Sequence, residues 1–178
     1  AEVFTLVIGG AASGKSQYAE GLVLRSPHRP RIYIATMEPF DAEGRARVEK
    51  HRRMRADKEF ETVERYTDLS SVRLGSRGAV LLECVGNLAA NELYSPAGAG
   101  SVAGAVSAIV DGVDALLEQC GDLVVVSNDV FTGGADYAGG TGDYLRLMAN
   151  AGRELAKRAD RVCEVVCGLP QYYKGAAK

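Results

Sequence analysis

The stretch Gly9-Gly10-Ala11-Ala12-Ser13-Gly14-Lys15-Ser16 satisfies the pattern GxxxxGK[ST] and stands between an apolar run, Val3 to Ile8, and a helical pattern, Lys15 to Arg25. A strand, a glycine-rich loop and a helix in that order confine the chain to α/β folds whose loop curls around a phosphate. The glycines permit the tight turn, while successive amide N–H groups and the helix N-terminus supply partial positive charge. Lys15 reaches the terminal phosphates and Ser16 offers a hydroxyl to Mg2+. The whole loop, Gly9 to Ser16, is therefore expected to bind a nucleoside triphosphate, ATP or GTP.

The rest of the chain repeats the alternation. Apolar runs at Arg31 to Ala35, Ala79 to Leu82, Leu123 to Ser127 and Val162 to Val166 are short and lack strict polar alternation, as parallel strands covered on both faces require. Helical patterns fill the intervals at Ala42 to Arg55, Val85 to Tyr94, Val102 to Cys120 and Gly142 to Ala159. Phe60 to Val63 reads as a short edge strand, and Cys163 to Cys167 followed by Gln171 to Lys174 as a terminal hairpin. Ser95 to Gly104 and Thr132 to Gly142, rich in Gly and Ala, read as loops. Neither a repeat nor a domain boundary interrupts residues 1–178, so a single nucleotide-binding α/β domain with right-handed crossovers is expected.

Composition then excludes several partners. Lys plus Arg number 21 against 23 Asp plus Glu, a net charge of −2, so no overall basic field exists to hold a nucleic-acid backbone. No apolar stretch approaches the length of a membrane span or of a secretory signal, and the expectation is a cytoplasmic protein. Cys84, Cys120, Cys163 and Cys167 lie in or beside apolar runs with no CxxC pair, which reads as buried small hydrophobes rather than a zinc site.

Phosphoryl transfer also needs a carboxylate near the metal, expected at the C-terminal end of a strand next to the loop. Glu83 closes Val80-Leu81-Leu82, and Asp129 follows Val124-Val125-Val126-Ser127-Asn128. Either can instead cap a helix. Glu83 is the choice for magnesium, together with Ser16. A third feature is the basic helix Arg45-Ala-Arg47-Val-Glu-Lys50-His51-Arg52-Arg53-Met54-Arg55. A charge run of this kind is often only a solvated face. Here it follows the strand Ile32 to Thr36, which is expected to lie beside the phosphate-loop strand, so that the helix leans over the nucleotide site. Neighbouring guanidinium charge favours a neutral imidazole, whose free ring nitrogen can attack phosphorus. His28, between Pro27 and Pro30, reads as a surface residue.

These segments together resemble the bifunctional adenosylcobinamide kinase/adenosylcobinamide-phosphate guanylyltransferase family of cobalamin biosynthesis. The likeness runs over nearly the whole chain: the GGxxSGKS loop, Tyr33-Ile34-Ala35-Thr36, the helix from Arg47 to Arg55, Thr62-Val63-Glu64, Leu81-Leu82-Glu83-Cys84 with Asn91, Ser127-Asn128-Asp129-Val130, and Ala159-Asp160-Arg161-Val162. The resemblance implies a three-layer P-loop NTPase fold with a mostly parallel, RecA-like sheet, and a homo-oligomer, a trimer. It implies that His51 accepts GMP covalently from GTP, and that Ala35, Thr36, Met37, Arg52, Arg53, Met54, Arg55, Glu64 and Glu83 bind nucleotide. The chain departs from the family pattern at Ala12, where Arg is usual, at Ala56, where Pro is common, at Asp129-Val130-Phe131 in place of a Glu-Val-Gly run, and at Gly152, where Asn is frequent. One extra residue lies between Arg55 and Glu64.

The reaction so implied phosphorylates adenosylcobinamide and then transfers GMP to the product, with Lys15 and His51 catalytic. Two rivals stand beside it: a P-loop kinase of another small metabolite, in which His51 only positions phosphate, and a nucleotide-gated binding module that needs a protein partner.

Overall fold

A computed structural model describes residues 1–129 and 142–175. The strands are β1 (Val3–Gly9), β2 (Arg31–Ala35), β3 (Phe60–Glu64), β4 (Ala79–Leu82), β5 (Asp122–Asn128), β6 (Arg161–Val166) and β7 (Leu169–Lys174). The helices are α1 (Lys15–Arg25), α2 (Ala42–Ala56), α3 (Val85–Tyr94), α4 (Val102–Gln119) and α5 (Gly142–Arg158), with a 3-10 turn at Leu69–Ser71 that the sequence pattern does not announce. One seven-stranded sheet runs in the order β3-β2-β4-β5-β1-β6-β7. Every pairing is parallel except β6 with β7, the expected terminal hairpin.

Side chains alternate across the sheet with the period of two that extended chain imposes. Phe4, Leu6, Val80, Leu82, Leu123 and Val125 enter one core with α3, α4 and α5. Val7, Ala79, Leu81, Val124 and Val126 enter a second core with Ala19 and Val23 of α1. Both faces are thus apolar and covered, which gives three layers and explains why β4 and β5 read as continuous hydrophobic runs.

The strand order corrects one expectation. β2 does not lie beside β1; β4 and β5 stand between them. Strands buried on both faces take the middle: β4 is buried at all four positions, and β5 at its five central ones. β2 is only half-buried at Arg31 and Tyr33 and lies next to the edge strand β3. The loop expected over Ser95 to Gly104 is also shorter, because the Ser101 side chain accepts the Gly104 N–H at 3.1 Å and starts α4 at Val102. The loop read at Thr132 to Gly142 lies outside the described residues, apart from Gly142, which opens α5. Among the cysteines, Cys120 and Cys163 are buried as expected, Cys84 is half-buried, and Cys167 is exposed in the β6–β7 turn. His28 is half-buried rather than superficial, its ring nitrogen 3.1 Å from a Glu2 carboxylate oxygen and its ring packed against Gly121.

The hairpin supports the phosphate loop. Gly168 N–H donates to Ser13 O at 2.8 Å. Gly14 adopts φ 89°, and a Cβ there would stand 3.1 Å from Gly168 Cα, so the loop needs glycine at this position for both conformation and space.

Candidate nucleotide-binding and transfer site

The C-terminal ends of β4 and β5, the N-termini of α1 and α3 and the last turns of α2 line one cavity of about 330 Å³. Such crevices beyond the carboxyl ends of parallel strands are where ligands bind in open α/β sheets. Lys15, Ser16, Glu83 and His51 all line it, with Glu20, Tyr33, Met54, Arg55, Lys58, Cys84, Asn87, Val126 and Asn128. A second hollow of about 310 Å³ lies along Ala12 to Gln17.

The loop is held by its own backbone and by the lysine it presents. Ser13 N–H donates to Gly10 O at 3.3 Å, and the Lys15 ammonium donates to Gly10 O at 3.0 Å. A phosphate would compete for that ammonium with a full charge, against a neutral carbonyl now.

Glu83 follows β4 and is fixed from β2, the next strand. Thr36 N–H donates to Glu83 Oε2 at 2.9 Å, and the Thr36 hydroxyl donates to Cys84 O at 3.2 Å. Thr36 is fully buried, and its own carbonyl accepts the Asn91 amide from α3 at 2.8 Å. Tyr33 adds a side-chain hydrogen bond to Glu83; burial first, and then the Glu83 charge, hold the Tyr33 hydroxyl far above its usual range, so it remains a donor. A carboxylate has about four lone-pair sites, so these contacts leave Glu83 capacity to accept more. Ser16 hydroxyl and Glu83 carboxylate are hard oxygen donors facing one cavity, the chemistry that suits magnesium.

α2 supplies the basic wall. Asp41 caps its start, accepting the Gly44 N–H at 2.6 Å, and Arg53 and Arg55 stand in its last turn, where the helix dipole favours cations. Arg55 is its one buried residue, 7% exposed, with its guanidinium 4.0 Å from the centroid of the Tyr33 ring. Its Nε is buried without a partner. His51, one turn earlier, is exposed and lines both the main cavity and a small adjoining one formed by Ala35, Met37, Val48, Arg55, Glu64 and Glu83. The basic helix thus reaches the site although its preceding strand does not neighbour the loop.

The expected nucleotide-binding residues divide by position. Lys15, Ser16, Met54, Arg55 and Glu83 face the main cavity, and Ala35, Met37 and Glu64 the small one. Arg52 is paired with Glu64 and, at 3.9 Å, with Glu49, while Arg53 is exposed and lines neither cavity. Thr36 acts from below, through Glu83. Among the described residues the carboxylates lining the main cavity are Glu20 and Glu83; Asp129 donates its backbone N–H to Gly9 O at 3.0 Å. Sequence reasoning missed Glu20, Tyr33, Lys58, Cys84, Asn87 and Asn128 as lining residues. For Glu20, Lys58, Cys84 and Asn87 the signal was positional, since each lies within four residues of Ser16, Arg55 or Glu83, whereas Tyr33 and Asn128 reach the cavity through strand order.

A phosphate loop between β1 and α1, a mostly parallel three-layer sheet, and a lysine, hydroxyl and carboxylate around one cavity define a P-loop nucleotide-binding protein. A solved ATPase domain has the same fold, with a TM-score of 0.51 and 13% identity over 92% of this chain and 69% of that one. Residues 5–172 match the cobinamide kinase / cobinamide phosphate guanyltransferase family, and the chain belongs to it. It is 31% identical to the bifunctional adenosylcobalamin biosynthesis protein CobU of Escherichia coli and 32% identical to that of Salmonella typhimurium, each over 92% of this chain and 96% of the relative. The bifunctional adenosylcobalamin biosynthesis protein CobP of Pseudomonas aeruginosa is 30% identical over 96% of both chains. No helix among the described residues is long and apolar enough to cross a membrane.

Proposed function

We propose that this chain phosphorylates adenosylcobinamide with a nucleoside triphosphate and then transfers GMP from GTP to adenosylcobinamide phosphate through a guanylyl-His51 intermediate, in cobalamin biosynthesis. The observation that carries this reading is that Lys15 of the phosphate loop and His51 of α2 line the same cavity. Family membership and the curated relatives support the pair of activities.

In the kinase step the corrinoid hydroxyl oxygen bonds to the γ-phosphorus, the bond to the β–γ bridging oxygen breaks, and the hydroxyl proton is released to solvent. Gly9 to Ser16 cradle the phosphates, and Lys15 offsets charge on the transferring group. Ser16 and Glu83 would hold Mg2+, which supplies further neutralisation of phosphate charge. In the nucleotidyl step a ring nitrogen of His51 bonds to the α-phosphorus and pyrophosphate leaves with the electron pair of the broken P–O bond. An oxygen of the corrinoid phosphate then displaces the imidazole, which recovers its lone pair. Dividing one transfer between two displacements lowers each barrier. Ala35, Thr36, Met37, Arg52, Arg53, Met54, Arg55 and Glu64 complete the nucleotide site in this reading. It also takes residues 1–178 as one domain, acting in the cytoplasm as a homo-oligomer, a trimer.

The test follows both corrinoid products by mass. Adenosylcobinamide, ATP, GTP and Mg2+ should yield the phosphate and then the GDP-linked corrinoid, and His51→Ala should stop at the phosphate. Passage of His51→Ala to the second product would reduce the reading to a kinase with a separate nucleotidyl site.

A further inference from the structure

Asn128 is a polar cavity residue to which the reaction described above gives no part. It ends β5, and the register of β5 on β1 sets it opposite Gly9, where the phosphate loop begins. It lines the cavity with Lys15, Ser16 and Glu83. Its carboxamide is fixed from behind by α3. Cys84 Sγ lies 3.2 Å from Asn128 Oδ1, and the same sulfur, as the helix cap, accepts the Asn87 N–H at 3.4 Å. With its acceptor side turned to the helix amides, the thiol directs its S–H at Oδ1. Gly86 closes the same side: a Cβ there would stand 2.9 Å from Asn128 Oδ1 and 2.9 Å from the Tyr144 hydroxyl. An amide whose oxygen faces α3 turns its two N–H bonds the other way.

We propose that Asn128 donates an Nδ2–H to the terminal phosphate of the nucleotide held by Gly9 to Ser16, and that Cys84 is the positioning residue that keeps the amide in this orientation. The proposal rests on the reading of Gly9 to Ser16 as a triphosphate site. Lys15 contributes charge without strong direction, whereas an amide adds a directional donor that distinguishes a γ-phosphate from its absence. The reverse amide orientation would set a carbonyl oxygen against phosphate oxygens. Asn128→Asp would do the same with a charge.

The experiment measures the dissociation constants of a nucleoside diphosphate and of the matching non-hydrolysable triphosphate on the full chain, with kinase turnover on the same proteins. A hydrogen bond to a charged group is worth about tenfold or more in binding. Asn128→Ala should therefore cut the preference for triphosphate over diphosphate about tenfold, and Asn128→Asp further. Cys84→Ala should lose about threefold of that preference, and Cys84→Ser, which keeps a cap and a donor, should restore most of it. A packing defect would weaken both nucleotides equally and leave the ratio alone. An unchanged ratio in Asn128→Ala and Asn128→Asp overturns the proposal. A ratio that moves in those variants but not in Cys84→Ala overturns the positioning role. Absence of turnover in the parent would defeat the kinase reading by itself, and the ratio would still decide for or against Asn128.

Discussion

The Lys15 ammonium donates to a carbonyl of its own loop, and the side chain belongs to neither core, so its removal should cost chemistry and not stability. Losing one preorganised charge contact to the transition state costs about 3 to 4 kcal/mol, or two to three decades in rate. Lys15→Ala is expected to lose that much kinase turnover with an unchanged urea midpoint; turnover within tenfold of the parent would contradict the role. Glu83→Gln keeps the shape and an acceptor for Thr36 N–H but removes the charge. It should move the magnesium dependence of turnover to higher metal concentration, while Asp129→Asn leaves it in place. The opposite pattern would exchange the two residues. Lys15, Ser16 and Glu83 were legible in the sequence because their chemistry depends on local spacing, a motif for two and a strand end for the third. Tyr33 and Asn128 were not, because their access to the cavity depends on which strands are neighbours, and that is a long-range property.

At the scale of elements, boundaries followed local signals closely. α1, α3 and β4 match their expected limits to the residue, since glycine, a capping side chain and a short apolar run mark them. Sheet order was not local, and the expected neighbour relation of β1 and β2 failed for that reason. Packing between elements gives a further test. A Cβ on Gly112 of α4 would stand 2.5 Å from Leu69 Cβ and 2.7 Å from its Cγ, and Leu69 is fully buried in the 3-10 turn. Overpacking of this kind costs about 1 to 3 kcal/mol. Gly112→Ala should lower the urea midpoint by that equivalent with an unchanged slope. A midpoint equal to the parent's would mean that the turn carrying Leu69 yields freely and is no fixed part of the core.

For the molecule as a whole, the buried thiols contribute to how stability responds to alkali. Burial pushes Cys120 and Cys163 up to about 11 each, whereas an unfolded thiol ionises near 8.5. The unfolded chain therefore binds fewer protons between these values, and stability falls as pH rises there. The contribution is complete below about 8.5 and is lost through about 11. Urea midpoints should be level through neutrality and drop above that range, and the double variant Cys120→Ala, Cys163→Ala should show a shallower drop. An equal slope in the variant would place the alkaline sensitivity in other groups.

The two-step transfer stands on one covalent bond. Intact mass after incubation with GTP and Mg2+ reads it directly: the account predicts one GMP added per chain, through a phosphorus–nitrogen bond that acid cleaves and mild base spares. No such mass should appear with His51→Asn, whose amide can hydrogen-bond but cannot form a phosphoramidate. A parent chain that gains no mass, or a His51→Asn chain that gains the same mass, would contradict it.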